Sequence, residues 1–121
     1  MTDDSMLFKR KKIFKIILIL ILLGEKMKHE PESKLTEKTT NMRRAIDSLK
    51  EELEAIDWYN QRVDACSDEN LKKILAHNAD EEKEHAAMLI EWIRQNDPKF
   101  PNELKDYLFT ENKDIAGLEE E

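Results

Sequence analysis

A stretch without glycine or proline, from Ser33 to Val63, most constrains how this chain can fold. Its apolar residues recur at steps of three, four or seven, the spacing of an amphipathic helix with a coiled-coil-like seam. They are Leu35, Met42, Ile46, Leu49, Leu53, Ile56 and Val63. With only 2 Gly and 3 Pro in 121 residues, the chain lacks the turn-forming residues of a β-sandwich or β-barrel. The sequence therefore predicts a single all-α domain.

A second helix is predicted after the polar turn at residues 64–68. Ser67 or Asp68 can cap its N-terminus, and Glu69 falls in the first turn, where acidic side chains are favoured. The apolar pattern continues at Leu71, Leu75, Leu89, Trp92 and Ile93. We expect this helix to end at the Asn-Asp-Pro sequence of residues 96–98.

The predicted architecture is an antiparallel two-helix hairpin followed by a short third helix around Asn102–Phe109. Residues 112–121 are polar and are expected to form a flexible acidic tail. Two long helices with one apolar face each cannot enclose those faces, so the hairpin is expected to pair with a second copy. The resulting dimer would form a four-helix bundle.

The charge of the chain is divided unevenly. The net charge is −7, but residues 1–26 hold six basic and three acidic side chains, which leaves −10 for residues 27–121. An acidic domain lacks the basic face that nucleic-acid binding needs, so cations are the expected partners and nucleic acid is not. Cys66 has no second cysteine to pair with, which fits a reducing cytoplasm.

The first 26 residues form a separate segment. A basic run, Lys9–Lys12, precedes Ile13–Leu23, in which every residue except Lys15 is apolar. This apolar run is shorter than the roughly 20 residues that span a bilayer and matches the length of a signal-peptide core. Three interpretations follow: an uncleaved signal or short anchor, a genuine amphiphilic extension, or a mis-called start with Met27 as the initiator. A membrane is an expected partner only if residues 13–23 are genuine.

The seam of each long helix turns polar at its centre. Steps of four and three along the second helix give Leu75, Asn78, Glu82, His85 and Leu89. The same steps along the first helix give Leu49, Glu52, Ile56, Tyr59 and Val63. Glu52, Glu82 and His85 therefore stand where core residues are expected.

The register of the hairpin predicts that two carboxylates face each other. If the turn centres near residue 67, Glu52 and Glu82 are equally far from it along the chain and lie at one level. An uncompensated buried carboxylate is costly, so such a pair requires shared protons or a cation. We predict a metal ion.

One hairpin supplies half of a known metal site. Di-iron helical bundles take one Glu from each of two helices and a Glu-x-x-His pair from each of the other two. Glu52 together with Glu82 and His85 matches half of that set, and two copies complete it. These ligands suit iron or manganese, with zinc a further candidate, and such a site can bind Fe(II) and pass its electrons to dioxygen.

Other residues near the predicted site have two interpretations each. Glu51 and Glu54 can attract cations at the mouth of the site, or simply form a solvated face. His77 is either a secondary ligand or a hydrogen-bonded residue at the bundle edge. Tyr59 is grouped with the ligands as a catalytic candidate because it can neighbour the metal or donate a hydrogen bond. Trp58 is interpreted as a packing residue rather than an electron carrier.

Three runs closely resemble the encapsulated ferritins: Glu51–Ala65, Ile74–Met88 and Tyr107–Glu111. The resemblance extends over residues 28–111, which favours a domain beginning at Met27 and spanning 27–111. It implies a ferritin-like ferroxidase whose di-iron centre has ligands shared by two subunits.

The resemblance also assigns roles by position. Glu52, Glu82 and His85 correspond to iron ligands, and Tyr59 and Trp58 to neighbours of the site. Glu51 and Glu54 correspond to an entry or secondary cation site.

The assembly that the resemblance implies is a homodimer that forms an open ring of ten subunits. Such a ring cannot store mineral itself, so the expected partners are Fe(II), dioxygen and an encapsulin shell, and the expected location is a cytoplasmic encapsulin nanocompartment. Two features depart from the family: residues 117–121 show no apolar targeting motif, and the N-terminal segment is foreign to the pattern. The alternative function is a non-catalytic metal-binding helical dimer or larger oligomer.

Overall fold

A computed structural model describes residues 4–26 and 29–120, and its regular structure over these ranges is helical without strands. The predicted all-α fold is therefore confirmed. The chain divides into two units, Met1–Leu35 and Thr36–Glu121. The first contains α1 (Asp4–Lys26) and a 3-10 helix (Glu32–Lys34), and the second contains α2 (Glu37–Ala65), α3 (Glu69–Asn96), α4 (Phe100–Tyr107) and a 3-10 helix (Ala116–Glu120).

Helix α2 begins later than its apolar pattern suggested. The backbone is extended at Leu35 and Thr36, and the Thr36 hydroxyl accepts a hydrogen bond from the Thr39 N–H at 3.2 Å. This cap satisfies one of the N–H groups that a helix start leaves unpaired. The predicted start at Ser33 is therefore wrong, because Ser33 belongs to the separate 3-10 helix.

Helix α3 begins where the turn residues predicted it. Asp68 is the cap, and its Oδ1 accepts from the Leu71 N–H at 2.8 Å. At the other end, Asp97 Oδ1 accepts from the N–H groups of Lys99 and Phe100 at 2.9 and 3.0 Å. These bonds lower the pKa of Asp97 and start α4 two residues earlier than predicted.

The hairpin is formed by α2 packing against α3 around a very small core. The buried apolar residues of the described chain are Ala45, Ala79, Ala86 and Ile93. Because three of the four are alanines, the two helices meet through small side chains. Many large apolar side chains remain exposed in the single chain, among them Leu53, Leu71, Ile74, Met88 and Trp92. This open apolar surface agrees with the expectation that one hairpin cannot enclose its own faces.

The segment after α4 includes a short 3-10 helix. Phe109 has a left-handed backbone with φ of 58° and a fully exposed side chain. The 3-10 helix follows, and the Asp114 carboxylate accepts from the Gly117 N–H at 3.3 Å.

The N-terminal unit consists mainly of α1, whose described side chains, residues 4–20, are all exposed. Within residues 4–26 and 29–120, we find no helix with an apolar stretch sufficient to cross a bilayer. Met27, the residue proposed as an alternative initiator, lies outside the described residues.

Candidate metal centre

The hairpin brings Glu52 of α2 next to Glu82 and His85 of α3. One ligand atom from each of these side chains lies within 4.8 Å of the others. The predicted register is therefore confirmed, since the two carboxylates lie at one level of the hairpin.

Both helices contribute to this arrangement through their periodicity. Glu82 and His85 are separated by three residues on α3, so they project to the same side of that helix. His85 Nδ1 lies 3.2 Å from Glu82 Oε2 and donates to that carboxylate when it carries a proton. The same nitrogen lies 3.6 Å from Glu52 Oε2, within ion-pair range. The imidazole thus faces both carboxylates.

The two carboxyl groups lie close enough to shift each other's pKa in opposite directions. The hydrogen bond to Glu82, together with partial desolvation, raises the pKa of Glu52. The hydrogen bond from Glu52, followed by that from His85, lowers the pKa of Glu82. The bond to Glu82 also raises the pKa of His85. The opposite shifts of the two glutamates reflect the closeness of two like charges, which a bound cation would neutralise.

The cluster is only partly covered by its own chain. The side chains of Glu52 and Glu82 are 24% and 23% exposed, and that of His85 is 44% exposed. Two carboxylates and one imidazole offer oxygen and nitrogen donors of the kind that iron, manganese and zinc accept. Three side chains do not complete the coordination of such an ion, so further ligands must approach from the open side. The donor set fits half of a carboxylate-bridged metal pair.

The raised pKa of His85 predicts how metal binding depends on pH. A protonated imidazole cannot bind a metal, so affinity should fall as pH falls through this pKa, and it should begin to fall at a higher pH than for an ordinary histidine. Calorimetric titration with Zn²⁺ in two buffers of different ionisation enthalpy counts the protons released. We expect more protons released near pH 6 than near pH 8.

The His85→Ala variant provides the control for this measurement, since it should bind more weakly and lose most of the difference between the two pH values. Equal proton release at both values by the unchanged protein would contradict the assignment of His85 as a ligand.

The remaining acidic and histidine candidates lie outside the three-residue group. Glu51 and Glu54 are exposed on α2. His77 Nε2 lies 3.6 Å from Glu81 Oε1, and its side chain is 70% exposed. In the single chain these residues therefore form no common site with Glu52 and Glu82.

The two aromatic candidates differ in their environments. Tyr59 is half-buried on α2, and the guanidinium of Arg62 lies 5.2 Å from the centre of its ring. This cation–π contact restricts the tyrosine ring. Arg62 was not among the predicted site residues, although it lies three residues after Tyr59 and therefore on the same side of the helix. Trp58 is 51% exposed in the single chain, and its role as a packing residue stays a prediction.

Comparison with known proteins gives a consistent result. The EncFtn-like family model matches residues 27–111. An encapsulated ferritin-like protein from Rhodospirillum rubrum is 63% identical over 91 residues, which is 75% of this chain and 64% of that protein. This chain therefore spans less than two thirds of that relative.

A solved structure and a more distant relative extend the comparison. A crystal structure of a protein from Nitrosomonas europaea is 69% identical, with a TM-score of 0.69 over 72% of this chain and 94% of the other. A Myxococcus xanthus protein named as an encapsulin nanocompartment cargo protein is 43% identical over 61 residues, covering 50% of this chain and 47% of that protein.

Proposed function

The chain belongs to the EncFtn-like family, and from this premise we propose that it is a ferroxidase. It oxidises Fe(II) to Fe(III) with dioxygen at a di-iron site formed between two subunits. We assign this activity to residues 27–111, with residues 1–26 an extension and 112–121 a tail. The observation that carries the proposal is the cluster of Glu52, Glu82 and His85, whose ligand atoms lie within 4.8 Å of one another.

The chemistry of the donors supports iron as the substrate. Carboxylate oxygens are hard, negatively charged ligands, so Glu52 and Glu82 stabilise Fe(III) more strongly than Fe(II). His85 supplies a nitrogen ligand once its proton has left. Each Fe(II) gives up one electron. One pair of ions therefore supplies the two electrons that reduce dioxygen to hydrogen peroxide, and two pairs supply the four electrons that reduce it to water. The protons consumed in either reduction come from solvent and from the displaced ligand protons.

The open side of the cluster supports a site shared by two subunits. In a two-fold dimer, each hairpin would contribute Glu52 and the pair Glu82 and His85, which together make the ligand set of di-iron helical bundles. The exposed apolar side chains of the hairpin would be buried by the same pairing. Dimers of this kind would then assemble into the ring of ten.

Tyr59 and Trp58 would lie beside the metal pair. Tyr59 is the better placed for a direct role, since it is half-buried on the helix that carries Glu52. Glu51, Glu54 and His77 are exposed and would gather cations before they reach the site.

An encapsulin shell is the proposed partner for iron storage and detoxification. The name of the Myxococcus xanthus relative supports this partner, as does that of the Rhodospirillum rubrum relative. An open ring would oxidise iron inside such a shell, and the compartment would hold the Fe(III) product. The proposed location is therefore the interior of an encapsulin nanocompartment.

Oxygen consumption on addition of Fe(II) tests the proposed reaction. We expect uptake well above that of iron in buffer alone, and we expect Zn²⁺ added first to suppress it, since zinc accepts the same donors without redox chemistry. Iron binding without faster oxygen uptake would favour the non-catalytic alternative, a metal-binding dimer or larger oligomer in which the ion only holds subunits together.

A further inference from the structure

Helix α1 exposes a large apolar surface together with a cluster of cations. Phe8 and Phe14 are each 69% exposed, and Leu20 is 62% exposed. The basic residues Lys9–Lys12 and Lys15 are exposed on the same helix. A helix that is apolar on all sides is stable in water only when something covers it. The EncFtn-like match begins after this helix and leaves it without an assigned role.

The cations and apolar residues of α1 form two successive bands along the helix. The four consecutive residues Lys9–Lys12 point to all sides of the helix, because successive residues differ by about 100° around its axis. The apolar run Ile13–Leu23 of the same helix follows, interrupted by Lys15. The helix therefore has no single apolar stripe that would fit a protein groove.

A lipid bilayer matches this arrangement of bands. Its anionic headgroups form a charged layer directly above an apolar layer, so cations and apolar side chains of one short segment can be satisfied together. A nucleic acid would match only the basic band. We propose that α1 binds the surface of an anionic membrane, with its basic band among the headgroups and its apolar band in the upper acyl region of the same leaflet.

The dimensions of the apolar band agree with shallow binding. The eleven residues Ile13–Leu23 extend about 16 Å along the helix, well short of the roughly 30 Å hydrocarbon thickness. Charged residues precede the two bands at Asp4 and follow them at Glu25 and Lys26, so both ends stay at the interface. The long side chain of Lys15 can extend back to the headgroups from within the apolar band. The helix thus lies along one leaflet in chains that are outside an encapsulin shell, and this binding does not use the ferroxidase site.

Co-sedimentation of the full-length protein with lipid vesicles tests the proposal. We expect binding to vesicles that contain phosphatidylglycerol, little binding to pure phosphatidylcholine, and weakening by salt, since attraction between exposed charges is screened. The double variant Lys11→Glu, Lys12→Glu should bind at least 10-fold more weakly. The matched control, Lys105→Glu with Lys113→Glu, reverses two exposed charges outside α1 and should bind as the unchanged protein does.

Insertion of the apolar band is measured separately with a Phe14→Trp variant. After subtraction of the signal from Trp58 and Trp92, the fluorescence of the introduced indole should shift to shorter wavelength on binding and should be quenched by lipids brominated in the upper acyl chain. Failure of the full-length protein to sediment with anionic vesicles would overturn the proposal. Equal binding to both lipid compositions, or an introduced indole that brominated lipids leave unquenched, would overturn it as well.

Discussion

Replacing Glu82 by Gln should lower the initial rate of Fe(II) oxidation by about 100-fold or more. Loss of a group that only orients a metal ligand already lowers metal affinity or activity by about 10- to 100-fold, and Glu82 is itself a proposed ligand. Glu82 contacts both other members of the cluster, through a hydrogen bond to Glu52 and a 3.2 Å contact with His85. The amide keeps the size of the side chain but removes the negative charge that favours Fe(III). The rate is measured by oxygen uptake and by absorbance of the Fe(III) product.

The matched control is Glu84→Gln. Glu84 is exposed on the same helix, outside the three-residue group, and its replacement makes the same change in charge. This control should oxidise iron at the unchanged rate. The oxidation rate of His85→Ala should fall as that of Glu82→Gln does, because the three-residue group would lose its nitrogen ligand.

Circular dichroism and Zn²⁺ titration distinguish a lost site from a lost fold. The variants at Glu82 and His85 should retain their helical content while binding Zn²⁺ more weakly. If both variants folded and still oxidised Fe(II) at the unchanged rate, the assignment of this cluster as the ferroxidase site would be wrong.

Replacing Ile74 by Glu should weaken pairing of the subunits by about 100-fold, which corresponds to about 2.7 kcal/mol. Ile74 is 58% exposed in the single chain and lies close to a whole number of helical turns from His85, so both face the same side of α3. Burying an isoleucine at an interface contributes roughly 1.5–3 kcal/mol, and a buried carboxylate adds a further cost. The dimer dissociation constant is measured by sedimentation equilibrium.

Lys73→Glu is the control for this experiment. Lys73 is the adjacent exposed residue of α3 and points to a different side, so its replacement should leave pairing intact. Because both side chains are exposed in the single hairpin, neither substitution should unfold it.

Native mass measurement after iron loading completes the test of the shared site. The unchanged protein should show two iron ions for each pair of subunits, and Ile74→Glu should show single chains that retain little iron. Stable pairing of Ile74→Glu would show that this side of α3 does not form the interface.

The helices could be predicted closely because the signals for them are local. Asp68 caps α3 as the turn sequence suggested, and α3 ends at Asn96 before the proline. The start of α2 was misplaced because Leu35 continued the apolar spacing, whereas the Thr36 cap is what begins the helix. Apolar periodicity locates a helix better than it locates the first turn, since the unpaired N–H groups there depend on individual side chains.

The sequence by itself determined which residues could meet. Helical periodicity places Glu82 and His85 on one side of α3, because the helix is set by hydrogen bonds between nearby residues. The length of the turn between the helices then places Glu52 opposite them. Only the tertiary structure decided how closely the helices approach and how open the cluster is. That distance is set by packing through Ala45, Ala79 and Ala86, and it brings Glu52 and Glu82 close enough to shift each other's pKa while His85 stays partly exposed.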